Sequence, residues 1–376
     1  MHFLTAERAT LDEFMPGLDA ALQAMTFSAR EAPRSRTIQL FRDAGGPGLL
    51  IPRNAAGGGA SALQAIHIQR AIGSRAPSLA IASCMHQFSV MTLVELSRQR
   101  KGPELFLIEA IARQRLLVAS GFAEGRSGAG ILDAAMRARR IEGGFVVNGS
   151  KKPCSLAQSM DLLTASVRID SAEGSSAASS FAVLLIPATS NGMSHRPFWT
   201  TPILAGAESD EVVLTDVSVS DQLAFETSTG EMDSIQTCGF IWFELLVTAS
   251  YLGIASALAE RVLTARRGPD LDRALLASEL EAAMSALEGI AARIAAGPLD
   301  PQLLGRMLLV RYATERAIER ATDLAVTLLG GIAFIQSPDV SYLLAASRAL
   351  AFHPPSRSSM ASGLAALLVG EPLQLP

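Results

Sequence analysis

The sequence predicts an α+β protein of three consecutive domains: a helical domain (1–115), a domain of β-strands (116–225) and a second helical domain (226–376). Two observations predict this order. Apolar residues recur at helical spacing towards both ends of the chain. The middle instead contains short β-branched runs separated by turn dipeptides, which are typical of antiparallel strands. At 376 residues the chain also exceeds the usual size of one domain.

The first domain is predicted to be helical throughout. Its opening helical pattern consists of five apolar residues: Leu11, Met15, Leu18, Leu22 and Met25. Glycine-rich segments interrupt the pattern at 45–48 and 57–59. Further helices are predicted over 60–72, 77–96 and 104–113, and Pro103 suits the first turn of the last one.

The middle domain is predicted to contain several short strands without helices between them, which favours a small barrel or a sandwich over a βαβ sheet. Its first part, 118–167, begins with an apolar run that ends in a Gly- and Ser-rich loop (121–130). Turns are predicted at Gly143-Gly144 and at Asn148-Gly149. The apolar runs 181–187 and 212–219 are predicted to be further strands.

The last domain is predicted to be an antiparallel bundle of Ala- and Leu-rich helices. Helix returns from about residue 233, and long helices are predicted over 242–265, 271–296 and 301–329. Gly330-Gly331 is predicted to end the third of them. Another helix begins at Tyr342 and stops before His353-Pro354-Pro355.

Composition and charge exclude several classes of protein. Apolar residues make up 49% of the chain and charged residues 18%, so much surface is buried, including that of subunit interfaces. A net charge of −4 gives no reason to expect a nucleic-acid partner. The three cysteines and five histidines lack metal-ligand spacing, so no metal site is predicted. No signal peptide and no membrane span of about 20 apolar residues are recognised, which predicts a soluble, cytoplasmic protein.

Three motifs follow one another along the chain. Ala123-Glu124-Gly125 precedes Ser127-Gly128-Ala129, Asn148-Gly149-Ser150-Lys151 precedes Ser155, and Gly330-Gly331 follows a long helix with Phe334 three residues on. Taken with the order of helices and strands, these motifs resemble the acyl-CoA dehydrogenase family of flavoproteins over nearly the whole chain. The resemblance implies that family's fold: an N-terminal α-helical domain, a middle β-barrel and a C-terminal four-helix bundle.

The resemblance implies FAD as the cofactor, and the chemistry of the residues agrees. A flavin ring needs backbone donors and a hydroxyl along its pyrimidine edge. The backbone of Phe122 and Ala123 and the hydroxyl of Ser155 are the candidates for these contacts. The small residues Gly128 and Ala129 would let the backbone approach a phosphate closely.

The resemblance also implies a homodimer or homotetramer. As in the family, Gly330 and Gly331 would contact the pyrophosphate of the FAD bound to the neighbouring subunit. Arg266 loosely matches the arginine that contacts the adenine in the family. The alternative for these glycines is a role as turn residues only.

The glutamate that removes the substrate's α-proton in most of the family is absent here. Counted without gaps from Gly330-Gly331, its position falls on Pro354. Glu244, on the first long helix of the last domain, is one candidate to replace it. It lies one residue, or about 100° of helix rotation, from the base that some members use instead. Apolar neighbours would raise its pKa towards that of a useful base, and the alternative is a salt-bridged or surface glutamate.

His353 is the second candidate, because it stands next to the missing glutamate in a turn made rigid by Pro354-Pro355. An imidazole can act as a base near neutral pH or form a hydrogen bond with the substrate. The alternative is a histidine that caps a helix end. His86 and Cys154 are interpreted as structural residues.

The main hypothesis is an FAD-dependent dehydrogenase that oxidises an acyl thioester, presented by CoA or by an acyl carrier protein, in secondary metabolism. It would remove a proton and transfer a hydride to flavin N5. The first alternative is a flavin-dependent monooxygenase of the same fold, since such relatives also lack the glutamate and often keep a histidine in that loop. The second is a non-catalytic paralogue, flavin-binding or inactive, that serves as a subunit partner.

Overall fold

The computed structural model describes residues 2–99, 104–122, 136–170, 180–227 and 229–375. Helices, then strands, then helices follow one another along the chain, so the predicted α+β order is confirmed. The hydrophobic core runs through all three parts without a break.

The described residues of the first part form seven α-helices: α1 (Thr5–Phe14), α2 (Leu18–Ala24), α3 (Phe27–Glu31), α4 (Thr37–Asp43), α5 (Ala62–Arg75), α6 (Pro77–Gln99) and α7 (Glu104–Gln114). The apolar spacing from Leu11 to Met25 spans two helices, because Gly17 has a φ of 80° and separates α1 from α2. A capping box starts α5, in which the Ser61 hydroxyl accepts from the Gln64 backbone N–H and the Gln64 side chain accepts from that of Ser61.

In the described segments of the middle part, eight strands form one sheet: β1 (Val118–Gly121), β2 (Arg137–Ile141), β3 (Gly144–Cys154), β4 (Leu162–Ile169), β5 (Ser180–Pro187), β6 (Met193–Arg196), β7 (Asp210–Ser220) and β8 (Ala224–Thr227). Their order across the sheet is β6-β7-β3-β2-β4-β5-β8, and β1 pairs with β4. The β1–β4 and β2–β4 pairs are parallel and the others antiparallel.

The prediction of a turn at Asn148-Gly149 is wrong. Strand β3 runs through both residues, and its register with β7 shifts between Val147 and Gly149, which marks a β-bulge. The Asn148 side chain accepts from the backbone N–H of Asp216 at 2.8 Å and donates to its carboxylate at 3.0 Å. The Asn-Gly dipeptide thus forms a β-bulge within β3 and not a turn, because the hydrogen bonds between Asn148 and Asp216 keep β7 paired beside β3.

From residue 229 to residue 375 the chain forms five α-helices: α8 (Thr229–Thr264), α9 (Asp270–Ala296), α10 (Pro301–Gln336), α11 (Pro338–Ser347) and α12 (Arg357–Leu368). Helix α8 begins well before the predicted residue 242. The prediction that Gly330-Gly331 ends the third long helix is confirmed by the backbone geometry. Gly330 has a φ of 83° and a ψ of 166°, which is not helical and is open to glycine, so it divides α10 into a long helical segment before it and a short one after it.

Helices α5 and α8 cross at a close glycine contact. A Cβ added at Gly73 would lie 2.4 Å from the carbonyl oxygen of Ser250, and one added at Gly253 would lie 2.3 Å from that of Arg70. Because neither position tolerates a side chain, the backbones of the first and last helical parts touch directly. Helix α8 is thereby held against both helical parts of the protein.

Two stretches of α6 and α8, Pro77–Arg98 and Ser234–Thr264, are long and apolar enough to cross a membrane, contrary to the expectation from the sequence. In both, 89% of the apolar window is buried inside the fold. Packing against other helices and strands therefore accounts for their apolar character.

Candidate active site

A chain of aromatic rings joins the three parts of the protein. The centroid of Phe122, which follows β1, lies 6.1 Å from that of Phe88 on α6, and Phe88 lies 5.2 Å from Phe243 on α8. The His353 ring follows at 5.9 Å from Phe243 and 5.4 Å from Tyr251. We call these five residues the aromatic wall. Two of the predicted site residues, Phe122 and His353, are thus brought together over 230 residues of sequence.

Glu244, next to Phe243 on α8, is fully buried and forms an ion pair with Arg311 of α10. One guanidinium nitrogen lies 3.2 Å and 3.1 Å from the two carboxylate oxygens. Burial raises the pKa of Glu244 to about 7, although the charge and the hydrogen bond of Arg311 act in the opposite direction. Glu244 is therefore the salt-bridged glutamate that the sequence left as the alternative to a lone base.

Arg311 also holds the chain segment 350–355, which we call the C-terminal loop. Its guanidinium donates to the carbonyl oxygens of Pro355 at 2.9 Å and Leu350 at 3.0 Å, and to that of His353. The Tyr312 hydroxyl donates to the same Pro355 oxygen at 2.9 Å. The backbone on both sides of His353 is thus tied to α10, and Glu244 supplies the counter-charge.

The His353 ring contacts Tyr251 through a 2.9 Å hydrogen bond between its Nε2 and the phenol oxygen. The ring keeps an accessible edge, but the dense protein around it desolvates the imidazole. This burial, and after it the positive charge of Arg311, lower the pKa of His353 to about 3. Both effects favour the neutral imidazole at physiological pH, and the role of His353 as a base stays a prediction.

The side chains of His86 and Cys154 are both fully buried. The Nδ1 of His86 accepts from the backbone N–H of Val118 at 2.9 Å, and its Nε2 lies 3.0 Å from the carbonyl oxygen of Pro47. Burial lowers the pKa of His86 to about 4 and raises that of Cys154 to about 12. Both side chains fit the structural roles predicted for them.

The predicted ring contacts of a flavin lie at the ends of β1 and β3. Ser155 follows β3, is 7% exposed, and shares a 2.9 Å hydrogen bond with the hydroxyl of Ser209. Phe122 is half-buried. The other predicted contacts of this group, Ala123, Gly128 and Ala129, lie outside the described residues.

The remaining predicted cofactor residues form a second group, which no described contact joins to the aromatic wall. Arg266 is exposed, and lies in the turn that follows α8 with a φ of 50°. A Cβ on Gly268 of this turn would lie 2.4 Å from the Leu328 side chain, so the turn adjoins the kink at Gly330 and Gly331. Their cofactor contacts stay predictions.

The sequence reasoning missed Arg311 and Tyr251, which decide the state of Glu244 and His353. A signal for Arg311 was present, since it is a charged residue directly after the apolar run Met307 to Val310. A buried charge on each of two neighbouring long helices predicts a pair. Tyr251 gave no such signal, because its partner lies 102 residues away.

Two further features distinguish the aromatic wall from a metal site and from the cavity elsewhere on the protein. Among the described residues, no group of three or more His, Cys, Asp and Glu side chains could hold a metal ion. A cavity of about 460 Å³, lined by residues that include Arg34, Arg36, Arg42 and Glu208, shares no lining residue with the aromatic wall. The wall is thus the candidate site.

The chain is similar to known proteins in sequence and in fold. The chain is 42% identical, over 381 aligned residues that cover the whole of both chains, to isobutylamine N-hydroxylase of Streptomyces viridifaciens. No model of a known protein family matches the sequence.

Solved structures share the fold. The nitrososynthase from Micromonospora carbonacea var. africana has a TM-score of 0.81 and 18% identity, and the match covers 97% of each chain. FMN-bound TdsC, the dibenzothiophene monooxygenase from Paenibacillus sp. A11-2, has a TM-score of 0.79 and 18% identity, with 99% of this chain and 98% of that one covered. At such identities the likeness shows the fold alone, and the expected acyl-CoA dehydrogenase-like fold is confirmed.

The expectation of a dehydrogenase that oxidises an acyl thioester is wrong. The relative that matches over its whole length is an N-hydroxylase, which acts on nitrogen and not on a CH–CH group. The expected CoA or acyl-carrier-protein substrate was tied to that reaction and is not retained. Glu244, engaged by Arg311, agrees with this correction.

Proposed function

The chain belongs to the family of isobutylamine N-hydroxylase, and on that premise we propose that it is a flavin-dependent N-oxygenase that hydroxylates a small alkyl amine. It is an oxidoreductase, and the observation that carries the proposal is the 42% identity over the full length of both chains. The reaction is R–NH₂ + O₂ + 2e⁻ + 2H⁺ → R–NHOH + H₂O. Its electrons come from a reduced flavin.

The chemistry of the aromatic wall supports an uncharged, apolar substrate. Phe88 and Phe243 are each 8% exposed and would contact an alkyl group. The neighbouring carboxylate of Glu244 is already paired with Arg311, so it is not available to bind the ammonium form of the amine. An amine nitrogen is a nucleophile only when its lone pair is free. The free base is therefore the form of the amine that both the apolar wall and the chemistry favour.

The residues fit a flavin in kind. Ser155 and Ser209 share one hydrogen bond between two hydroxyls, so one hydroxyl proton remains to donate to a polar ring edge. Phe122 and its neighbours in the wall supply an apolar surface. When bound, reduced flavin supplies the activated oxygen of the reaction. FAD was expected from the sequence, whereas TdsC is FMN-bound, and we propose FMN for this chain.

We also propose that the chain forms a homo-oligomer. Three large apolar side chains are mostly exposed: Ile332 at 73%, Ile335 at 78% and Phe352 at 84%. They follow the kink in α10 and precede His353, and a second copy would remove them from water. Light scattering of the wild type and of Ile335→Glu tests this, since a monomeric wild type would exclude it.

The function is tested by turnover with reduced flavin. The purified protein is mixed with FMN, NADH, a general flavin reductase and isobutylamine, and the N-hydroxylamine is measured by mass spectrometry with ¹⁸O₂. We expect one ¹⁸O atom per product and none from H₂¹⁸O. The reductase mixture without the protein is the control. A panel of alkyl amines that yields no oxygenated product would refute the proposal, and a protein that takes up neither FMN nor FAD would favour the non-catalytic alternative.

A further inference from the structure

We propose that Tyr251 fixes the tautomer of His353, so that the imidazole presents its Nδ1–H as a hydrogen-bond donor at the aromatic wall. Glu244 and Arg311 act as positioning residues that hold the C-terminal loop in the required place. The inference rests on the proposed function for its role in the reaction, but the tautomer itself is a property of this chain alone.

The phenol of Tyr251 decides the direction of its hydrogen bond with His353. Tyr251 is 1% exposed, and within the described part of the chain its hydroxyl has one hydrogen-bond partner, His353 Nε2 at 2.9 Å. Burial raises the pKa of Tyr251, so the phenol keeps its proton. A buried O–H without an acceptor is unfavourable, because it has lost its hydrogen bonds to water and gained none in the protein. If His353 donated to the phenol, the Tyr251 proton would have no acceptor among the described residues.

The second step follows from the chemistry of imidazole. Tyr251 donates and Nε2 accepts, so the lone pair of the ring lies on Nε2. In a neutral imidazole the other nitrogen then carries the proton. The low pKa of His353 keeps the ring neutral. The proton is therefore held at Nδ1.

The other ring nitrogen of His353, Nδ1, faces away from the hydrogen bond with Tyr251. Within the described residues the Nδ1 atom of His353 makes no hydrogen bond, and this atom is not fully buried. It lies on the accessible edge of a half-buried side chain. The aromatic neighbours Phe243 and Tyr251 flank the ring. A ligand at the wall therefore meets an N–H donor.

The orientation of this donor depends on the ion pair. Arg311 binds the carbonyl oxygen of His353 itself and those of Leu350 and Pro355 on either side. Side-chain rotation of His353 is then limited by Tyr251 at one nitrogen and by the fixed backbone at the other end. Arg311 and Glu244 are both fully buried, so water does not compete for these bonds.

A fixed N–H donor has a different use from a base. It cannot take a proton from an ammonium ion, because its lone pair is engaged by Tyr251. It can stabilise an oxygen atom that gains negative charge while the amine nitrogen is being oxygenated. The site therefore selects the free amine and assists the oxygen, and the proton stays at Nδ1.

The tautomer is measured by solid-state ¹⁵N NMR of protein labelled at histidine. The chain has five histidines, and His353→Gln identifies the two signals of His353 by their loss. We expect a protonated Nδ1 and an unprotonated, hydrogen-bonded Nε2 at pH 7. In Tyr251→Phe the proton should move to Nε2 in a substantial fraction of molecules. Tyr312→Phe is the matched control, since its hydroxyl binds the same loop but not the ring, and the tautomer should persist.

Two results would overturn the inference. One is a wild-type spectrum in which the signals assigned to His353 place the proton on Nε2. The other is an unchanged tautomer in Tyr251→Phe. Turnover separates this inference from the proposed function: we expect kcat to fall about 10- to 100-fold in Tyr251→Phe with KM little changed. If the wild type shows the Nδ1–H tautomer but oxygenates no amine, the proposed function fails while the tautomer stands.

Discussion

Replacing Arg311 by methionine leaves the Glu244 carboxylate buried without its cation and removes the donor to three carbonyl oxygens of the C-terminal loop. Removing one partner of a buried ion pair costs about 3–5 kcal/mol. Loss of the loop contacts adds to this, so we expect a loss of about 5 kcal/mol. With a urea m-value of about 3 kcal/mol per molar, the unfolding midpoint should fall by about 1.7 M.

Two comparisons decide whether the ion pair is the cause. In the double variant Arg311→Met/Glu244→Leu no charge is left buried, so it should be more stable than Arg311→Met by about 2 kcal/mol or more. The loss in Arg311→Met should also be larger at pH 8 than at pH 5, because a protonated Glu244 needs no cation. A midpoint of Arg311→Met within about 0.3 M of the wild type, or a double variant no more stable than the single one, would refute the reasoning.

Three further predictions concern stability. The pKa of His86 falls from 6.5 to about 4 on folding, so the unfolded chain binds its proton first and stability decreases as the pH falls from 6.5 to 4. The shift corresponds to about 3 kcal/mol. The urea midpoint of His86→Gln should therefore change much less with pH than that of the wild type, and an equal pH dependence of the two would assign the effect to other groups. Gly73→Ala should lower the free energy of unfolding by about 2 kcal/mol, because the added methyl group would clash with the Ser250 carbonyl oxygen. Gly289→Ala lies on an open helix surface and should raise the free energy of unfolding by up to about 1 kcal/mol. Equal effects of the two variants in thermal unfolding would contradict the packing argument. Tyr342→Phe should cost about 2 kcal/mol, because its hydroxyl donates to the buried Glu31 carboxylate at 2.6 Å, and a melting temperature equal to that of the wild type would show that this bond contributes nothing.

Much of the fold could be predicted because periodicity and turn chemistry act over a few residues. The runs 181–187 and 212–219 coincide closely with β5 and β7. The errors occur where distant contacts override the local signal. Asn148-Gly149 became a bulge because Asp216 of the neighbouring strand binds the Asn148 side chain. The break at Gly330-Gly331, by contrast, was predicted correctly, because a glycine in a non-helical conformation is a local signal that ends a regular helical segment.

For the candidate site, the sequence by itself determined the order of helices and strands, the likeness to a flavoprotein fold, and the presence of Glu244 and His353 near the places where a catalytic group is expected. Tertiary structure alone decided what those two residues are. Arg311 lies 67 residues from Glu244 and converts it from a potential base into half of an ion pair. Tyr251 lies 102 residues from His353 and engages the nitrogen that a base would need. The physical reason is that the pKa and the free lone pair of a buried group depend on the partners that folding brings to it, and no local pattern records them.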